Sequence, residues 1–254
     1  MVKPTARSTN LWARPWRRDP DGEMTGDGVA RNEPTGLGRE LRTPRAAAIA
    51  GILFALILGT VIVLMSSAFP QDAKERVAWI TNASGRGSVA LAIKLIPFAG
   101  IAFLWFIGVI RNRLGDREDK LFATVFLGSG LLLVGTLFTA AAVVGSVLLT
   151  YEEAPTISPD TLRIAEILAT TLLGTFATKM AAVFTLAVTT VGLRTQLVPR
   201  WLSVIGVGCA VALLLTPPAP KLTLLVFPLW VLILSLHILV LSIRSQAPLA
   251  GDNR

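Results

Sequence analysis

The chain is predicted to be an all-α, polytopic membrane helical bundle with six transmembrane helices and both termini on the cytoplasmic side. Three observations carry this prediction. First, six apolar stretches run from Ala46 to Phe69, Ser88 to Ile110, Phe122 to Leu149, Ile167 to Gly192, Trp201 to Thr216 and Leu222 to Ile243. A helix needs about 20 mostly apolar residues to cross a hydrocarbon core ~30 Å thick, and all but the fifth stretch reach that length outright. Second, none of the stretches alternates polar with apolar residues. That excludes an outer-membrane barrel and leaves the helical bundle, the other structure that satisfies its own backbone in lipid. Third, of the 24 Lys and Arg, seventeen fall before the first stretch, in loops 111–121 and 193–200, and in the C-terminal tail, whereas five fall in the alternate loops. Positive residues are retained in the cytoplasm, so both termini are expected there, with three hairpins facing outward.

Composition agrees with this class. Hydrophobic residues make up 53% of the chain and charged residues 16%, and the mean hydropathy is +0.64. The net charge of +8 follows from the topology and is not a nucleic-acid footprint, so membrane lipids, a partner membrane subunit or a second copy of the chain are the expected partners. A single cysteine, Cys209, and a single histidine, His237, exclude an internal disulfide, a structural zinc site, an iron–sulfur cluster and bis-histidine haem ligation within one chain. No cofactor is expected.

Taken in order, residues 1–45 hold five prolines, five glycines and fifteen charged residues with no apolar period, which predicts a disordered basic cytoplasmic tail. The transmembrane domain is expected over 46–243, with a short cytoplasmic tail over 244–254. In the first span, Gly51, Ala55 and Gly59 recur every four residues and form a small-residue face suited to close helix packing. In the following loop, Val77, Trp79 and Ile80 predict a short interfacial helix, and Asn82-Ala83-Ser84 matches a weak glycosylation pattern. Pro97 in the second span removes one backbone hydrogen bond and predicts a kink beside Lys94. The fifth stretch has only 16 residues before a proline-rich turn, and Pro228 interrupts the sixth.

Polar residues within the spans are the candidate site. Lys179 lies 12 and 13 residues from the two ends of the fourth stretch, roughly 18 to 20 Å from either surface, too deep to reach water comfortably. On its helix Thr171, Thr175, Thr178, Ala182, Thr185 and Thr189 recur at spacings of four and three, a small polar stripe with Lys179 at its margin. Two readings stay open for this face. It is either a site for an anion or a lipid headgroup, or a structural arrangement in which the lysine bonds backbone carbonyls freed at a kink. Lys94, about 9 Å from the outer end of its span, is expected to snorkel to the interface and to pair there with Glu166. Glu166 is the only acid touching a span, which argues against a carboxylate proton relay. Ser129 and His237 lie at similar depth and permit a remote serine–histidine dyad of the intramembrane protease kind. However, Leu127-Gly128-Ser129-Gly130 places leucine where such enzymes carry glycine.

Three segments resemble a family of uncharacterised six-span integral membrane proteins of actinobacteria. They are Pro97 to Gly108 (PFAGIAFLWFIG), Lys179 to Phe184 with Pro199-Arg200-Trp201-Leu202, and Phe227-Pro228-Leu229-Trp230-Val231. The resemblance implies the six-span architecture and a bacterial plasma-membrane location. That family has no assigned activity, so no catalytic or binding residue carries over. The expected function is non-enzymatic, as a scaffold or accessory subunit. The alternative is a small transporter or an anion- or lipid-binding bundle that uses Lys179, Thr171, Thr175, Thr178 and Lys94.

Overall fold

The computed structural model describes residues 44–68, 78–114, 120–195, 199–215 and 223–244. Among them every regular element is helical. Helix α1 spans Pro44–Ala68, α2 Ala78–Thr81, α3 Ala83–Leu114 and α4 Lys120–Glu153. Helix α5 spans Pro159–Thr171 and continues through a π-helical segment, Leu172–Ala177, into α6, Thr178–Thr195. Helices α7, Arg200–Leu215, and α8, Thr223–Arg244, complete the order. Five helices are long and apolar enough to cross a membrane, with the continuous run Pro159–Leu193 counting as one, and α7 is shorter. Of the expected tails, 1–45 and 244–254, the residues 1–43 and 245–254 lie outside the described residues, as does the turn between α7 and α8, whereas Pro44 and Arg45 open α1 and Arg244 closes α8.

Two helices start earlier than the apolar pattern indicates, because capping chemistry and not hydropathy sets a helix start. The Asn82 side chain accepts a hydrogen bond from the Ser84 N–H, and α3 begins at Ala83 instead of Ser88. At α5 the Ser158 hydroxyl accepts from the Thr161 N–H, and Pro159, with its fixed φ and no N–H to satisfy, opens the helix well before Ile167. Helix α3 is continuous through Pro97 and α8 through Pro228. The short helix expected near Trp79 is present as α2. Trp79 and Ile80 are buried against Val89 and Val147. Arg86 donates to the carbonyls of Ile80 and Thr81 at the end of α2, and its guanidinium lies 5.5 Å from the Tyr151 ring centroid.

Helix α1 packs mainly between α3 and α8, and α6 packs against α4 and α7. The centre is aromatic. Phe54, Phe103, Phe126, Phe184 and Phe227, one ring from each of the five long spans, are all buried. Phe103 contacts Phe54 at 4.4 Å and Phe184 at 4.9 Å between centroids, and Phe126 stacks on Phe184 at 4.9 Å. Phe227 meets Phe54, Phe103 and Phe184 edge-on at 5.8 to 6.0 Å. These are the tilted and T-shaped arrangements that ring quadrupoles favour, each contributing about 0.5–1.5 kcal/mol beyond its buried area. Close approach to this centre requires missing side chains at two glycines. A Cβ on Gly130 would fall 2.5 Å from Ile107 Cδ1 and 3.3 Å from the Phe184 ring, and one on Gly51 would collide with Ser235 and Phe106. The small-residue face of the first span is therefore a packing face at Gly51, whereas a Cβ on Gly59 would meet nothing within 4 Å.

Candidate functional site

The fourth span is built in two halves that face different neighbours. Its second half, α6, is seated against α4 and α7, while its first half, α5, packs chiefly on α4. Beside α5 the bundle is hollow. A cavity of about 770 Å³ lies between α5 and the π segment, α1, α4, the tip of α7 and the start of α8. Its size falls within the ~300–1,000 Å³ typical of sites for one small ligand. Most of the wall is apolar: Leu58 and Ile62 of α1, Leu133 and Leu137 of α4, and Phe227 of α8 at the edge of the aromatic centre.

The wall formed by the fourth span differs. Reading inward from the start of α5, it presents Arg163, Glu166, Thr170, Leu173, Ala177, Thr178 and Ala181. The charges lie toward the outer end of this run, with Arg163 exposed and Glu166 half-buried. The hydroxyls lie deeper and both bond to their own helix. Thr170 Oγ1 donates to the Glu166 carbonyl at 2.7 Å, and Thr178 Oγ1 donates to the Leu173 carbonyl at 2.9 Å. The small residues Ala165, Ala169, Ala177 and Ala181 keep this wall back and help to leave the space open.

The threonine stripe does not lie on one face. A π turn adds one residue to an α-helical turn and so rotates everything before it by roughly 100° relative to everything after it. Thr178, Thr185 and Thr189, after the π segment, are buried, whereas Thr171, before it, is exposed, and Thr175, within it, is half-buried. Thr185 and Thr189 donate to the carbonyls of Ala181 and Thr185, four residues earlier, and so satisfy their hydroxyls within α6.

Lys179 sits two residues beyond the π segment, half-buried, and does not line the cavity. Its ammonium donates across to α7, to the Leu213 carbonyl at 3.1 Å and the Leu214 carbonyl at 2.5 Å. Those carbonyls belong to the last turn of α7 and have no partner within the helix. At 16 residues α7 is about 24 Å long, short of a ~30 Å apolar layer, so its negative dipole end requires a donor from another helix. Lys179 supplies the positive charge there, and Leu213, held by it, forms part of the cavity wall.

The other candidates are dispersed. Lys94 is exposed and has no hydrogen bond or ion pair with any described residue; Glu166 lines the cavity instead of meeting it. Ser129 is buried and its hydroxyl lies 2.7 Å from the Val125 carbonyl and 3.2 Å from that of Phe126, while His237 meets Trp201 edge-on at 6.0 Å. The structure does not join that serine and histidine by a hydrogen bond. What sequence reasoning missed is the cavity itself and the role of α5. The one sequence signal for it was the recurrence of Ala165, Ala169, Ala177 and Ala181 alongside Glu166 and Thr170. No protein-family model matches the chain, and neither a curated protein nor a solved structure matches it.

Proposed function

We propose that this chain is a six-span protein of a bacterial plasma membrane, with both termini cytoplasmic and α7 as the short sixth crossing, that binds a lipophilic ligand without catalysing its conversion. The cavity carries this reading. It is of single-ligand size, its lining is mostly apolar, and its two charged groups, Arg163 and Glu166, lie on one helix toward one end with Thr170 beside them. That pattern suits a molecule with a hydrocarbon body and one polar head, drawn from or passed to the surrounding lipid. The distribution of positive residues supports the orientation. The three resembling segments support a place in the six-span actinobacterial family. Lipids remain the expected partners, and the scaffold or accessory role reduces here to carrying such a ligand.

Trp79 lines the cavity and reports its occupancy. Purified protein in mild detergent is titrated with a brominated dodecyl amphiphile, and tryptophan fluorescence is read. Occupancy gives saturable quenching that is absent in Trp79→Phe and is removed by Ala140→Phe, which fills the cavity from α4. Quenching that rises without saturation and is the same in Ala140→Phe rejects the reading.

A further inference from the structure

Resting on the reading that the cavity holds a lipophilic ligand, we propose that the ligand is an amphiphilic amine, bound with its protonated ammonium group at Glu166 and Thr170 and its hydrocarbon body directed toward Phe227. The inference comes from which hydrogen-bonding groups the fourth-span wall leaves available. Thr170 Oγ1 directs its single proton to its own helix, with the Glu166 carbonyl at 2.7 Å and the Ile167 carbonyl at 3.1 Å. Thr178 Oγ1 donates to the Leu173 carbonyl. Each hydroxyl therefore turns only lone pairs toward the cavity. Glu166 adds a carboxylate, which accepts and does not donate. Inward of Arg163, this wall offers acceptors alone.

A ligand headed by a carboxylate or phosphate would set acceptor against acceptor beside a like charge. An ammonium group brings three donors and no acceptor, the complement of this wall. Glu166 has about four lone-pair sites, so it accepts from a ligand in addition to the contact it already makes. Arg163, which also lines the cavity, lies one turn nearer the start of α5, is exposed, and has a side chain long enough to turn its guanidinium away from a bound cation. Below Thr170 the lining passes to Leu173, Ala177 and Phe227, which suit a hydrocarbon body. This assignment differs from the anion-site reading of Lys179, whose ammonium is held on the carbonyls of α7 and does not line this cavity.

The test uses three competitors with one hydrocarbon chain and different heads. Dodecylamine, dodecanol and dodecanoate displace the brominated amphiphile from the wild-type protein at neutral pH, where the amine is protonated and the acid ionised. Dodecylamine is expected to bind about tenfold more tightly than dodecanol, the range of a charge-assisted over a neutral hydrogen bond, and dodecanoate most weakly. Glu166→Gln, which keeps size and polarity, should bring amine and alcohol to within about twofold while dodecanol binding is retained. Displacement by all three with no preference for the amine, a preference for dodecanoate, or an amine preference that survives in Glu166→Gln overturns the proposal while leaving a lipophilic site in place. Failure of all three to displace the quencher removes the lipophilic site, and this proposal with it.

Discussion

Replacing Lys179 by methionine tests how a short helix ends inside an apolar layer. In the wild-type protein the ammonium donates to the carbonyls of Leu213 and Leu214, both in the last turn of α7. Two charge-assisted bonds at about 1.5–3 kcal/mol each set an upper bound near 6 kcal/mol. Interhelical hydrogen bonds in membranes contribute less, about 0.6 kcal/mol on average, because the unfolded chain in lipid finds other partners. Methionine also removes a charge from low-dielectric surroundings, which returns part of the loss. The expected net destabilisation is therefore about 1–3 kcal/mol, read as a shift in the midpoint of unfolding as sodium dodecyl sulfate is added to mixed micelles. Lys179→Arg, which keeps a charged donor of similar reach, should recover at least half, and Lys94→Met, at an exposed position, should be silent. Hydrogen exchange should quicken in residues 210–215 and stay unchanged in α1 and α3. A Lys179→Met protein as stable as the wild type, or an arginine variant as damaged as the methionine one, would refute the view that this lysine caps α7.

The other predictions follow from packing and charge. Phe184→Ala removes the ring that meets Phe103, Phe126 and Phe227, and should cost about 3–5 kcal/mol in the same unfolding assay; a loss below 1 kcal/mol would show that the aromatic cluster is not the core. Gly51→Val drives a side chain into Phe106 and Ser235 and should destabilise by at least about 2 kcal/mol, whereas Gly59→Ala enters open space and should be neutral or stabilise by up to about 1 kcal/mol. Equal effects of the two would remove the packing argument for Gly51. For topology, single cysteines in a Cys209→Ser background should react with an impermeant reagent in intact cells at residue 82 or 156 and not at 115 or 250; the opposite pattern would invert the orientation.

Helix type and the five long apolar helices were legible in the sequence because both depend on length and hydropathy, which are local. Helix starts were legible in principle: Asn82 and the Ser158-Pro159 pair are capping signals that outrank the point where apolar character begins. The five phenylalanines of the centre are visible as residues, but they lie in different spans and nothing local states that they meet. The π segment was not legible. Leu172–Ala177 is an unremarkable apolar run in sequence, and the extra residue in its turn is absorbed where packing of α5 on α4 and of α6 on α7 demands different rotations of one helix. That single residue took Thr171 off the buried face that Thr178, Thr185 and Thr189 share. For Lys179 the useful clue was elsewhere in the chain, in the 16-residue length of α7, which implied a helix end in need of a donor.

The same physics explains why the hollow lies where it does. In a bundle with no water to expel, a void is tolerated only where the surrounding helices are held by other means, since each missing contact forfeits dispersion energy. Here the aromatic centre fastens α1, α3, α4, α6 and α8 to one another at one level, and the lysine cap fastens the tip of α7 to α6 at the next. Above that level, α5 is tied chiefly to α4 and the π turn frees it from the register of α6. The element carrying Arg163, Glu166 and Thr170 is thus the less constrained half of the fourth span. A ligand that enters the cavity supplies the contacts α5 lacks on its inner side. Occupancy should therefore slow hydrogen exchange in α5 and the π segment more than anywhere else in the bundle, and a ligand that binds while leaving 159–177 unprotected would show that it sits outside this cavity.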